Sequence, residues 1–168
     1  MNIIEFQEGV AKYAVTQGDD LTDINIVGAS VAGLVVDIGM IHIALDGSIA
    51  PGDEVEATTQ IATAFARMTV RAALASEVLD HNGVAPRPDE TLRQFPVEAT
   101  CCHFGCGALE LLTRITTLRV LASNQAFPEV HAHLIALTGA LLNHVEPMLG
   151  LKPETFLSEA AESIKETN

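Results

Sequence analysis

A long apolar stretch decides the fold of this chain, because residues 24–45 read INIVGASVAGLVVDIGMIHIAL. No clear turn interrupts the stretch, so it predicts one long helix that ends at the Asp-Gly pair at 46–47. Its β-branched residues and the alternation at residues 41–43 also permit strands, in which case the Asp-Gly pair is a hairpin turn.

The same stretch is long enough to cross a bilayer. It contains Asn25, Asp37 and His42, and no Lys or Arg flanks either end. An Asp at the centre of a spanning helix costs about 2.5–3.5 kcal/mol on insertion scales. We therefore expect a buried helix and no membrane partner.

Helical periodicity and cap residues place the other helices. Gly18 and the Asn-Gly pair at 82–83 are helix stops, Asp20 or Asp23 can cap the second helix, and prolines open later helices. The predicted helices cover residues 3–16, 20–46, 54–80, 97–122 and 128–147, and a short sixth helix starts at Pro153. The sequence thus predicts an all-α fold, an antiparallel bundle of long helices.

The length of 168 residues favours a single all-α domain over residues 1–168. One segment, residues 83–96, contains three prolines and little apolar pattern, which is typical of a linker. It divides the chain into two possible halves, residues 1–82 and 97–168.

Composition excludes several function classes. The net charge is −13, and residues 1–66 hold one base, Lys12, against ten acids, so a phosphate backbone is repelled there. Aromatic residues are 4% with no Trp, which argues against a stacking platform, and we expect no nucleic-acid partner. The three cysteines are clustered and the N-terminus lacks a basic region, so we expect reduced thiols and a cytoplasmic protein.

Three segments carry a family resemblance. They are Met-Asn-Ile-Ile-Glu-Phe-Gln-Glu at 1–8, Val-Ala-Gly-Leu at 31–34 and Leu-Gly-Leu-Lys-Pro-Glu-Thr-Phe at 149–156. In these places the chain resembles the MazG-like all-α nucleotide pyrophosphohydrolases. The resemblance implies a nucleotide ligand, with Mg²⁺ or Mn²⁺ as cofactor if the family activity is retained.

The chain departs from the family at the metal-binding acids. Val31, Leu34, Gln60 and Thr63 stand where the family has the acids of Glu-x-x-Glu and Glu-x-x-Asp, and these residues do not bind a hard cation. The resemblance thus implies a divergent protein that binds nucleotides or has lost catalysis. If it is an enzyme, it is a metal-dependent nucleoside triphosphate pyrophosphohydrolase, and we expect no efficient hydrolysis.

The second half offers substitutes for the missing acids. Under the resemblance, Glu110 and Glu129 fall near the two acidic motifs, and His133 is a substitute metal ligand. Spacing also puts Glu129, His133 and His144 on one helix face, where a transition metal could bind. The favoured alternative is that Glu129 caps the helix and the histidines bond to backbone or water.

Two arginines have alternative roles. Under the resemblance, Arg67 and Arg71 contact the phosphates of the substrate. From the residues alone, either arginine is the natural partner of Asp37, because a buried carboxylate must be paired or protonated. We favour the structural ion pair.

A thiol or metal site is a further candidate. Cys102 and Cys106 are spaced i, i+4, with His103 adjacent, and thiolates with imidazole suit zinc. The favoured alternative is that the small cysteines fill a tight helix contact.

The apolar stretch also predicts self-association. A helix that is nearly free of polar residues must be buried on every side, and a second copy can complete that burial. Small residues such as Gly28, Ala32 and Gly39 suit a close helix crossing. The alternative function is therefore a non-enzymatic helical oligomer, a dimer or tetramer, that serves as an interaction protein.

Overall fold

A computed structural model describes residues 2–46, 54–89 and 104–149, together with residues 92, 152 and 155. These residues contain five helices: α1 Ile3–Thr16, α2 Asn25–Leu45, α3 Glu54–His81, α4 Phe104–Ser123 and α5 Phe127–Leu149. The described part of the chain contains no strand, so the all-α prediction is confirmed and the strand alternative for residues 24–45 is wrong.

The predicted helix stops lie where the backbone turns left-handed. Gly18 follows α1 with φ +94° and Gly83 follows α3 with φ +71°, a conformation that glycine adopts without steric cost. At the other end of α1, the side chain of Asn2 accepts from the Glu5 amide and Glu5 accepts from the Asn2 amide. This reciprocal capping box fixes the first turn of α1.

The second helix starts later than predicted, at Asn25 instead of residue 20. Asp20 accepts hydrogen bonds from both the amide and the hydroxyl of Thr22, which holds the chain in a turn. Asp23 then accepts from the amide of Asn25 at 3.0 Å. Short acidic side chains that bond to nearby backbone compete with helix formation, so the helix begins only after both of them.

The helix α3 lies at the centre of the fold and packs against α1, α2 and α5, and α4 packs against α2 and α5. The core is largely aliphatic, as the composition predicts. Its largest fully buried side chains are Phe6, Leu34, Ile38, Ile41, Phe65, Met68, Leu79, Ile115, Leu118, Leu134 and Leu137. Polar side chains on the inner faces of α2 and α3 are therefore enclosed by hydrocarbon.

Helices α2 and α3 run antiparallel. Arg67 contacts Asp37 and Met40, and Arg71, one turn later on α3, lies over Gly33, one turn earlier on α2. This register confirms antiparallel packing for the predicted pair of consecutive long helices.

Some predicted elements fall outside the described residues. They include the first turns of the predicted fourth helix, residues 97–103, and the sixth helix from Pro153 except for Thr155. Residues 84–89 are non-helical, as expected for the start of the predicted linker. The division into two halves stays a prediction.

Candidate functional site

The first polar cluster lies between α2 and α3. Arg67 Nε donates to Asp37 Oδ1 at 3.0 Å, and Arg71 Nε donates to Asp37 Oδ2 at 3.2 Å. The Asp37 side chain is only 2% exposed. The predicted ion pair is therefore confirmed, and both arginines share one acid. We call these three residues with Gly33 the Asp37 cluster.

The Asp37 cluster carries an excess of positive charge. Burial raises the pKa of Asp37, while the charges of Arg67 and then Arg71 act in the opposite direction. Arginine stays protonated in proteins, so two guanidinium charges face a single carboxylate. When that carboxylate is ionised, the cluster has a net charge of about +1, by addition of unit charges.

Gly33 makes room for one of these guanidinium groups. A Cβ on Gly33 would lie 2.4 Å from Arg71 Nη1, which is too close for any side chain there without movement of Arg71. The side chain of Arg71 is 22% exposed, against 9% for Arg67. Arg71 is thus the member of the cluster that solvent reaches, and its predicted contact with phosphate stays a prediction.

The second polar cluster joins the segment after α3 to the start of α5. His131 Nδ1 donates to the carbonyl of Val84 at 2.6 Å, and the amide of Arg87 donates to the carbonyl of Pro128 at 2.8 Å. The guanidinium of Arg87 also contacts the Glu129 carboxylate. Residues 84–89 are thus held against the first turns of α5.

A histidine and an arginine complete this second cluster. His133 Nε2 lies 3.2 Å from Asp89 Oδ1, with His133 2% exposed and Asp89 26% exposed. Burial lowers the pKa of His133, and Asp89 opposes that shift. Burial likewise lowers the pKa of Arg114 to about 10, so the guanidinium stays charged at neutral pH. We call Asp89, His133 and Arg114 the Asp89 cluster.

The structure does not gather the predicted metal ligands into one site. Glu110 is exposed, Glu129 contacts Arg87, and His133 contacts Asp89. Within the described residues, no group of three or more His, Cys, Asp or Glu side chains is placed to hold a metal ion. The expected backbone contact holds for His144, whose Nδ1 donates to the Ala140 carbonyl, but His133 bonds to a carboxylate instead.

The positions of the missing family acids are poor sites for a cation. Val31 and Leu34 are 2% and 0% exposed and belong to the core, while Gln60 and Thr63 are half-buried. The predicted thiol site cannot be followed, because Cys102 and His103 lie outside the described residues. Cys106 lies in α4, and its side chain is not described.

The exposed residues of α2 are uncharged and, apart from Asn25 at the first position, apolar. From its first residue to its last, the exposed residues are Asn25, Gly28, Ala29, Ala32, Val36, Ile43 and Leu45. Val36 is 62% exposed and Ile43 is 55% exposed. This helix is also long and apolar enough to cross a membrane. Its most apolar stretch of 18 residues is 39% buried in the fold.

Sequence reasoning missed the Asp89 cluster. Asp89 and His133 are 44 residues apart, and Arg114 lies on a third segment, so no helical spacing relates them. The one signal in the sequence is the presence of Arg87 and Asp89 within a proline-containing linker. Charged residues there can pair with a neighbouring helix, but the sequence does not say which one.

No protein-family model, curated protein or solved structure matches this chain. The resemblance to the MazG-like pyrophosphohydrolases therefore stays a prediction, and the functional argument depends on the geometry of the chain itself.

Proposed function

We propose that this chain is a non-enzymatic helical protein that self-associates through the outer face of α2, as a dimer or tetramer. The observation that carries the proposal is the absence of any charged side chain among the exposed residues of α2. Extended apolar surface of this kind marks interaction sites, because water is released when a partner covers it.

The charge of the protein favours a second copy at this face. The chain has a net charge of −13, so most approaches between two copies are repulsive. The face of α2 is neutral, and burial of apolar surface there contributes roughly 25 cal/mol per Å². Nothing lies within 4 Å of the position that a Cβ would take on Gly28 or Gly39, so a partner helix can approach closely.

Two matched substitutions test this proposal. Val36→Glu places a charge on the outer face of α2, and Val120→Glu places one on α4 at a similarly exposed site, since Val36 is 62% and Val120 is 56% exposed. We expect light scattering at tens of micromolar to show an oligomer for the parent chain and for Val120→Glu, and a smaller mass for Val36→Glu. A monomeric parent chain contradicts the proposal.

A second experiment distinguishes a second copy of the chain from a lipid surface as the partner of this face. It is flotation with neutral phosphatidylcholine vesicles. Binding to vesicles by a monomeric parent chain, lost in Val36→Glu, assigns the face to a membrane and overturns self-association. The mid-helix position of Asp37, which contacts two arginines of α3, favours the bundle interior over a bilayer.

We propose a second candidate function, in which the chain is a divergent MazG-like nucleotide-binding protein that has lost catalysis. The observation that favours it is the Asp37 cluster, where two guanidinium groups share one carboxylate and Arg71 reaches solvent. An excess positive charge in a low-dielectric site attracts phosphate, and arginine binds phosphate through paired N–H groups.

Thermal melting with nucleotides tests the second candidate. A panel of nucleoside triphosphates, with and without Mg²⁺ or Mn²⁺, should raise the melting temperature, because a ligand that binds only the folded state stabilises it by about 2.7 kcal/mol at a hundredfold excess over Kd. Arg71→Gln should abolish the shift, and Arg119→Gln, at an exposed position on α4, should keep it. An unchanged melting temperature across the panel contradicts nucleotide binding, and rapid metal-dependent release of pyrophosphate contradicts the loss of catalysis.

A further inference from the structure

We infer that residues 84–89 form an acid-sensitive latch on α5, with His133 as the group that titrates. The latch is the segment between Gly83, which ends the turn after α3, and residue 90. It follows α3, the central helix of the fold, and contacts the first turns of α5.

The latch is held along its whole length by the first turns of α5. The carbonyl of Val84 accepts from His131 at 2.6 Å, the amide of Arg87 donates to Pro128 at 2.8 Å, and Asp89 contacts His133 at 3.2 Å. Each of these hydrogen bonds joins the latch to α5 and none is internal to the latch. Loss of the contact at one end of the latch therefore weakens the remaining contacts with α5.

The contact with Asp89 determines the tautomer of His133. An ionised carboxylate only accepts, so the neutral imidazole donates its proton from Nε2 to Asp89. The other nitrogen, Nδ1, is buried. Acid therefore adds a proton at a buried atom, where a new charge is poorly solvated.

The charged groups around His133 have opposite effects on its pKa. Asp89 on the latch favours the imidazolium form, and Arg114 on α4, which itself faces Asp89 and Glu110, disfavours it. Burial is the largest influence, and the pKa of His133 lies below its usual 6.5. An open latch, with His133 in water, takes up a proton at a higher pH than the closed latch does.

The sign of the pH effect follows from this difference. Where the open form binds more protons than the closed form, acid favours opening. Above pH 6.5 the imidazole is neutral in both forms, so pH has little effect on opening, and below that value acid progressively favours the open form. The opening constant increases by about tenfold for each unit of difference between the two pKa values.

Amide hydrogen exchange measured by NMR tests the inference directly. The Arg87 amide donates to Pro128 across the latch, so its protection factor, corrected for intrinsic exchange, reports closure. We expect this protection to fall as the pH is lowered below 6.5, while the amides of α3 keep theirs. Equal loss in α3 identifies global unfolding and overturns the inference, as does constant protection of Arg87.

Two variants assign the effect to His133. His133→Gln keeps a donor toward Asp89 without a titrating group, so the protection of Arg87 should become independent of pH in this range. His144→Gln alters another histidine of α5, whose contact is with its own helix, and should behave like the parent chain. A pH dependence that persists in His133→Gln overturns the inference.

A measurement on the parent chain alone covers the case in which His133→Gln does not fold. The imidazole C–H resonances of His133 should titrate with a midpoint below pH 6.5, and the protection of Arg87 should fall between pH 6.5 and that midpoint. A midpoint at or above 6.5 overturns the inference.

Discussion

The Asp37 and Asp89 clusters differ in the base that contacts the carboxylate, which is a pair of guanidinium groups at Asp37 and an imidazole at Asp89. Each encloses a carboxylate beside basic side chains of neighbouring elements. Asp37 lies mid-helix, 2% exposed, with each oxygen bound by a guanidinium group. Asp89 lies on a connecting segment, 26% exposed, and its nearest base is the imidazole of His133.

The difference determines which cluster responds to pH near neutrality. Guanidinium groups keep their protons over the whole physiological range, so in the Asp37 cluster the bases that join α3 to α2 do not titrate near neutrality. Imidazole titrates in that range. The Asp89 cluster therefore provides a pH-dependent contact between α5 and the connecting segment.

The largest effect is expected at the Asp37 cluster. Asp37→Asn leaves the buried guanidinium of Arg67 and the partly exposed one of Arg71 without a counter-charge, and removal of one partner from a buried ion pair typically costs about 3–5 kcal/mol. Urea denaturation should show this loss in the free energy of unfolding. Asp46→Asn, at the exposed end of α2, is the matched control and should change it by less than about 0.5 kcal/mol. A similar loss in both variants contradicts the comparison.

A smaller effect is expected at the Asp89 cluster. Asp89→Asn keeps an acceptor for His133 and is partly exposed, so we expect a loss of about 1.5 kcal/mol, typical of a hydrogen bond to a charged group. The negative charge of Asp89 raises the pKa of His133, so the variant should lower that pKa further. NMR titration of His133 checks the direction, and an increase contradicts the assigned geometry.

The two clusters also differ in how far the sequence predicts them. Arg67 and Arg71 are one turn apart on the helix that follows α2, and consecutive long helices pack side by side, so their pairing with Asp37 follows from spacing. The Asp89 cluster depends on the path of a proline-containing segment. That path has no period, so the pairing of Asp89 with His133 is decided only by tertiary packing.

The predictions about the small residues of α2 show a similar limit. The sequence gives Gly28, Gly33 and Gly39 the same role in close packing, but a Cβ would meet a neighbour within 4 Å only at Gly33. The residue that makes contact there is Arg71 of α3, not a second copy of α2. A run that is apolar on all sides does not reveal which side faces the core, because periodicity carries no information there.

These glycines provide a prediction of intermediate size. Gly28→Ala has open space around the new methyl group and should stabilise the chain by up to about 1 kcal/mol through helix propensity. Gly33→Ala should show no such gain, because the methyl group must displace the guanidinium of Arg71 from Asp37. Thermal unfolding of both variants, at concentrations where the chain is monomeric, checks the difference. Equal stabilisation would mean that Arg71 is not held over Gly33.

The smallest effect is expected where Arg87 meets Glu129, at the edge of the Asp89 cluster. The Arg87 side chain is 71% exposed, and an ion pair open to water gains little over hydration. Hydrogen bonds from Arg87 lower the pKa of Glu129. The ion pair therefore stabilises the folded chain above pH 4.5, the usual pKa, and this stabilisation is lost as the pH falls through the lowered pKa. This loss therefore occurs below pH 4.5. Glu129→Gln should therefore leave the pH dependence of Arg87 amide protection above pH 5 unchanged, while His133→Gln abolishes it. If Glu129→Gln abolishes that dependence too, the ion pair and not the imidazole is the titrating contact of the latch.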